Sequence, residues 1–99
     1  MKIVTLCGSM RFAEQMKKIA LDLETKHDYC AIPPIDDCGV ELSCDDLLSL
    51  SRAHFRKIDI ADVIYIVNIG GYIGDAVARE IAYAEAHGKS IVYLEPKSR

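Results

Sequence analysis

The sequence predicts an α/β domain built on a four-stranded, all-parallel sheet, and three observations predict it. Four short apolar runs rich in β-branched residues alternate with segments of helical period. The first and third of these runs end in glycine-marked turns, at Gly8 and at Gly70-Gly71, that lead into helical patterns. The length of 99 residues fits one such domain, spanning 1–99, and no second.

Residues 2–7 (KIVTLC) read as a buried strand that stops at Gly8-Ser9. Phe12, Met16, Ile19, Ala20 and Leu23 follow at helical spacing and form one apolar stripe. Ser9 is the candidate N-cap, and the helix fades near Lys26-His27. Residues 28–32 (DYCAI) make a weaker strand, ended by Pro33-Pro34, neither of which has an N–H to give a ladder. Residues 33–43, rich in Pro, Asp and Gly, read as a loop, either a lid or a plain connector. Ser43 or Asp45 caps a second helix over about 45–58, with Leu47, Leu48, Leu50 and Phe55 apolar and Lys57 in the last turn, where the helix dipole favours a cation. Residues 62–69 (DVIYIVNI) are the clearest buried strand. A glycine-rich turn over 70–74 follows, Asp75 caps a third helix to about His87, and Gly88 supplies its stop. Residues 90–94 (SIVYL) form the last strand, which Pro96 ends. The order β-α-β-loop-α-β-α-β implies a flavodoxin-like, Rossmann-like three-layer α/β/α arrangement. Its crossovers are right-handed and its strand order is 2-1-3-4.

Composition narrows the function classes. The net charge is −3 with both signs interspersed, which disfavours a nucleic-acid polymer or an anionic membrane as partner. No apolar run approaches the roughly 20 residues of a membrane span, and no secretory leader pattern opens the chain, so a cytoplasmic location is expected. Of the four cysteines none forms a C-x-x-C pair, and His27, His54 and His87 are not at zinc spacing from them. Free thiols are expected rather than a disulfide frame, with Cys7 and Cys30 as small core residues and no metal or other cofactor.

In doubly wound sheets ligands sit outside the carboxyl ends of the strands, where the strand order reverses. Two segments land there. One is Gly8, Ser9 and Arg11, after the first strand; the other contains Asn68, Gly71, Gly74 and Asp75, after the third. Both open helices, whose free N–H groups favour anions. Gly8 lets the backbone approach a ligand, Ser9 adds a hydroxyl, and Arg11 adds a fork suited to phosphate or carboxylate. The plain alternative is an ordinary capped strand-to-helix turn with a solvated Arg11.

Glu80 is the other candidate. It flanks the stripe Val77, Ile81, Ala84, and its i−4 and i+4 neighbours, Ala76 and Ala84, leave room above the carboxylate. A partly desolvated carboxylate at a pocket suits nucleophilic or acid–base work, whereas the bland alternative is an exposed helix glutamate. Asp59 lies at the far end of the third strand and reads as structural. His54 and Arg56-Lys57 read as a solvated helix face. Tyr72 and Tyr83 are placed either to stack on a base or to pack at the rim.

The run CGSMR after strand one, IADVIYIVN through strand three, and AREIAYAEAHGKSI through helix three into strand four together resemble the nucleoside 2-deoxyribosyltransferase superfamily, which includes deoxynucleoside 5′-monophosphate N-glycosidases. The resemblance implies cleavage or transfer of the N-glycosidic bond of a deoxynucleoside or nucleotide. It makes Glu80 the nucleophile that forms a glutamyl–sugar intermediate, passed on to another base or to water. By the same match Gly8, Ser9 and Arg11 hold base, sugar or phosphate, and a homodimer or higher homo-oligomer is implied. The chain departs from the family pattern in two places. Its glycines sit early, at Gly70, Gly71 and Gly74, and His54 stands where many members carry an aspartate. These departures motivate the alternative of a nucleotide-binding or sensing domain without catalysis.

Overall fold

The computed structural model describes residues 1–96; residues 97–99 of the expected domain lie outside the described residues. Four strands, β1 (Lys2–Gly8), β2 (Tyr29–Ile32), β3 (Val63–Val67) and β4 (Ser90–Tyr93), pair in parallel in the order β2-β1-β3-β4, the order expected. Three helices, α1 (Ala13–Lys26), α2 (Cys44–Ile60) and α3 (Asp75–Ala86), connect them. None of these helices is long and apolar enough to cross a membrane.

Strand alternation divides the core between the two faces. Val4, Leu6 and Val67 join Met16 and Leu23 of α1 on one side. Cys7, Ile64 and Ile66 join Ile58 of α2 and Val77, Ile81 and Ala84 of α3 on the other. The sheet therefore carries one helix on one face and two on the other. The α1 face is left partly open over β3 and β4, where Val92 is 46 % exposed and Leu94 37 %.

Several helix ends differ from the sequence expectation. Ser9 does not cap α1. It caps a single 3₁₀ turn, Met10–Phe12, where its hydroxyl accepts the Arg11 N–H at 3.3 Å. The Phe12 N–H closes that turn on the Ser9 carbonyl, and α1 begins only after it. Of the two candidates for α2, Ser43 is the cap. Its hydroxyl accepts the Asp46 N–H at 3.1 Å while Asp46 accepts the Ser43 N–H at 2.9 Å, a reciprocal capping box. These bonds hold the Asp46 carboxyl below its ordinary pKa. At α3 the cap is Gly74, which has no side chain to give, and Asp75 is the first helical residue. β3 stops at Val67, since the backbone leaves the extended region at Asn68 (φ −109°, ψ 60°), whose side-chain amide makes a separate bond pair. Asn68 Nδ2 donates to the Glu95 carbonyl at 3.0 Å, and the Glu95 N–H donates to Asn68 Oδ1 at 2.9 Å.

Lys89 ties α2 to the sheet. Its ammonium donates to the carbonyls of Asp59 (2.7 Å) and Ala61 (3.0 Å), which close that helix. Asp62 performs the same service between strands, accepting the Ile3 N–H at 2.8 Å. Packing around Gly8 is tight. A Cβ there would lie 3.0 Å from Met16 Sδ and 3.1 Å from both Cβ and the carbonyl oxygen of Val67. The backbone atom cannot move away cheaply. Gly8→Ala is accordingly expected to destabilise the fold by about 1–3 kcal/mol, read as a lower urea midpoint with an unchanged slope. An unaltered midpoint would show that the wall around Gly8 yields.

Candidate functional site

The carboxyl edge of β1 opens into a cavity of about 580 Å³ between α2 and α3. Gly8 and Ser9 form its base, His54 and Lys57 project from α2, and Gly74, Asp75, Arg79 and Glu80 from α3. Pro34, Ile35, Leu47 and Leu50 supply an apolar side, with Tyr72 also on the lining. The first backbone N–H groups of α3 have no intrahelical partner, and Gly74, Asp75, Ala76 and Val77 all line the cavity. That helix end, with Lys57 and Arg79, offers positive charge; Asp75 and Glu80 offer negative charge.

At the deep end three side chains from three elements converge. Cys7 lies at the end of β1, on the α2/α3 face by strand alternation. His54 reaches it from α2, with Nε2 3.3 Å from Cys7 Sγ. The same Nε2 is 3.4 Å from Glu80 Oε1 on α3. The Glu80 side chain is 17 % exposed and the His54 side chain 10 %. Burial pushes the Cys7 thiol pKa well above its ordinary value, and the neighbouring Glu80 carboxylate adds to the shift, so Cys7 is a neutral thiol at physiological pH. His54 Nδ1 is buried and meets no hydrogen-bond partner among the described residues. The tautomer that fits these contacts carries its hydrogen on Nε2, the nitrogen that faces Cys7 Sγ and Glu80 Oε1, because an N–H stranded at Nδ1 costs more than an unused lone pair.

This arrangement corrects the reading of His54 as part of a solvated face: only 8 % of the residue is exposed. The stripe Leu50, His54, Ile58, Ala61 runs at helical spacing toward the core, and that pattern was the signal for it. Arg56 is exposed as expected, and Lys57 is half-buried on the cavity wall. Glu80 is partly buried and paired rather than exposed. Of its two small neighbours Ala76 is on the cavity lining, whereas Ala84 is buried in the core.

The other sequence candidates divide. Gly8, Ser9, Gly74 and Asp75 line the cavity; Arg11, Asn68 and Gly71 do not. The Arg11 guanidinium instead lies over the ring of Tyr72, 4.0 Å from its centroid, a cation–π contact beside the cavity. Asn68 is buried at the β3 end and spends its amide on Glu95. Gly71, at φ +77°, is needed for the backbone turn that follows. Tyr83 packs away from the cavity, edge-on to Phe55, stacked on His87 and bonded to Asp59. That bond, with burial, raises the Tyr83 pKa and gives Asp59 a structural part.

Sγ of Cys7, a ring nitrogen of His54 and a carboxylate oxygen of Glu80 lie within 4.8 Å of one another, a donor set able to meet a cation. No local spacing discloses it, because its members are 47 and 26 residues apart and only the sheet brings them together.

No family model and no curated protein matches the sequence. Among solved structures the chain is similar to a 2-desoxiribosyltransferase from Leishmania mexicana, with a TM-score of 0.73 and 16 % identity, covering 100 % of this chain and 67 % of that one. At that identity the likeness shows a shared fold and nothing further.

Proposed function

We propose that this chain breaks or transfers the N-glycosidic bond of a deoxynucleoside or its nucleotide, with Glu80 as nucleophile. The observation that carries the reading is Glu80 itself, a partly desolvated carboxylate on the wall of the main carboxyl-edge cavity, held from behind by His54. A Glu80 oxygen bonds to the anomeric carbon as the bond to the base nitrogen breaks. The electron pair leaves with the base, which takes up a proton from solvent. Water or a second base then attacks the anomeric carbon, gives up a proton to solvent and frees the carboxylate, so configuration is retained overall. The transition state resembles an oxocarbenium ion, and a fixed anion beside it is worth most where water is excluded. The apolar wall and Tyr72 suit the flat face of a base. Lys57, Arg79 and the α3 N-terminus suit an anionic substituent on the sugar. The structural neighbour's name points to the same substrate class.

The test is base release. Purified protein is incubated with deoxynucleosides and their 5′-monophosphates, with and without a second free base. Release in water alone identifies a hydrolase, and exchange that needs the second base identifies a transferase. Tight binding with no release over hours would replace this reading by a nucleotide-binding domain.

We also propose a homo-oligomer, supported by the apolar surface that α1 leaves uncovered at Val92 and Leu94. Val92→Lys is expected to shift the sedimentation coefficient toward that of a monomer. An identical coefficient for mutant and wild type would remove this face from consideration.

A further inference from the structure

We propose that Cys7, His54 and Glu80 form a binding site for a thiophilic divalent cation of the zinc class, and that its occupancy switches off the chemistry of the cavity. Binding is argued from the donor set alone; the switching rests on the reading of Glu80 as nucleophile.

The geometry comes first. A tetrahedral zinc with sulfur at about 2.3 Å and nitrogen or oxygen at about 2.0–2.1 Å separates its donors by roughly 3.3–3.6 Å. Two of the three edges already have this length, at 3.3 Å from Cys7 Sγ to His54 Nε2 and 3.4 Å from His54 Nε2 to Glu80 Oε1. The third is bounded by the 4.8 Å that encloses all three donors. A thiolate, an imidazole and one carboxylate suit zinc or cobalt, and not calcium or magnesium, which require six or more oxygen ligands.

The charge balance suits burial. On binding, the Cys7 thiol gives its proton to solvent, and the metal–sulfur bond replaces the sulfur–hydrogen bond. The two positive charges of the ion then meet one thiolate and one carboxylate, so the loaded site is neutral in a part of the molecule where a net charge would be costly. His54 and Glu80 both line the cavity, which leaves the fourth coordination position facing it. Metal on Nε2 places the imidazole hydrogen on Nδ1, which has no acceptor among the described residues. The site thus lacks the outer hydrogen bond that commonly adds 10–100-fold in affinity, and an exchangeable rather than a permanent ion follows. Once bound, the ion occupies the carboxylate that would attack the sugar.

Cobalt(II) titration of the full-length protein tests the site directly. The expected result is a thiolate-to-cobalt charge-transfer band with tetrahedral ligand-field absorption, saturating at one equivalent and displaced by zinc. Cys7→Ala is expected to lose the band. Glu80→Gln, altered at the cavity wall, keeps the thiol and is expected to weaken zinc binding by at least about tenfold, since loss of a direct ligand should exceed loss of an outer partner. Absence of the band in the wild type overturns the proposal, as does a band that persists in Cys7→Ala and so belongs to Cys30, Cys38 or Cys44. Zinc affinity unchanged in Glu80→Gln overturns it equally. In the activity arm, zinc should stop base release and a chelator restore it. Release that continues at saturating zinc contradicts the switch. A metal site present with no release from any substrate leaves the site standing and removes the glycosyl reading instead.

Discussion

Glu80→Gln is expected to lower base release by at least about ten-thousand-fold, the scale of losing a covalent nucleophile. The amide is nearly isosteric, so it can keep a contact with His54 Nε2 while losing the anion that the proposed reaction requires. The thermal midpoint should therefore move by only a few degrees, which separates lost chemistry from lost fold. A chromatographic assay of free base, run beside thermal unfolding, checks both. A variant that retains more than a tenth of wild-type turnover would show that Glu80 is not the nucleophile.

The second large effect is expected at His54. Its Nε2 stands 3.4 Å from Glu80 Oε1, and in the proposed reaction it acts through that carboxylate as a positioning residue. Its removal in His54→Ala frees the carboxylate to leave the attacking geometry, and a misplacement of about 1 Å costs on the order of a hundredfold in rate. The expected signature is a fall in kcat of about that size with KM changed far less. His54→Gln places an amide N–H near the former Nε2 and should recover much of the loss. A purely structural role would give equal kcat for the two variants once both are folded, and that result would contradict the positioning role.

The sheet was legible because its signals are local. The β-branched run around Val63–Val67 and the stripe Phe12, Met16, Ile19, Leu23 each state a period, and parallel βαβ connectivity then leaves few orders. Helix ends were less legible. Ser9 and Asp75 both have cap chemistry, but a 3₁₀ turn intervenes at the first and the chain enters the second one residue earlier.

The site was legible in part. Glu80 declares itself through small neighbours one turn away on either side. His54 carries a histidine's polarity, which suggests solvent, and only the stripe through Leu50, Ile58 and Ala61 points inward. Cys7 looks like a core thiol and is one by burial, yet its neighbours are an imidazole and a carboxylate that no spacing in the chain announces. The glycine at position 8 illustrates the same limit. Sequence explains it by approach of a ligand, and Gly8 does line the cavity, but the crowding by Met16 and Val67 is visible only in the folded chain. Contacts across 47 residues are made by topology, and topology is known only after the strands are paired.

The central claim is that a bond forms between Glu80 and the sugar. The most direct measurement is mass spectrometry of protein quenched during turnover of whichever deoxynucleoside or nucleotide releases its base fastest. The account predicts a covalent deoxyribosyl adduct, with or without phosphate, on the peptide containing Glu80 and absent from Glu80→Gln. Rapid base release with no adduct at any quench time, or an adduct on a different residue, would contradict it.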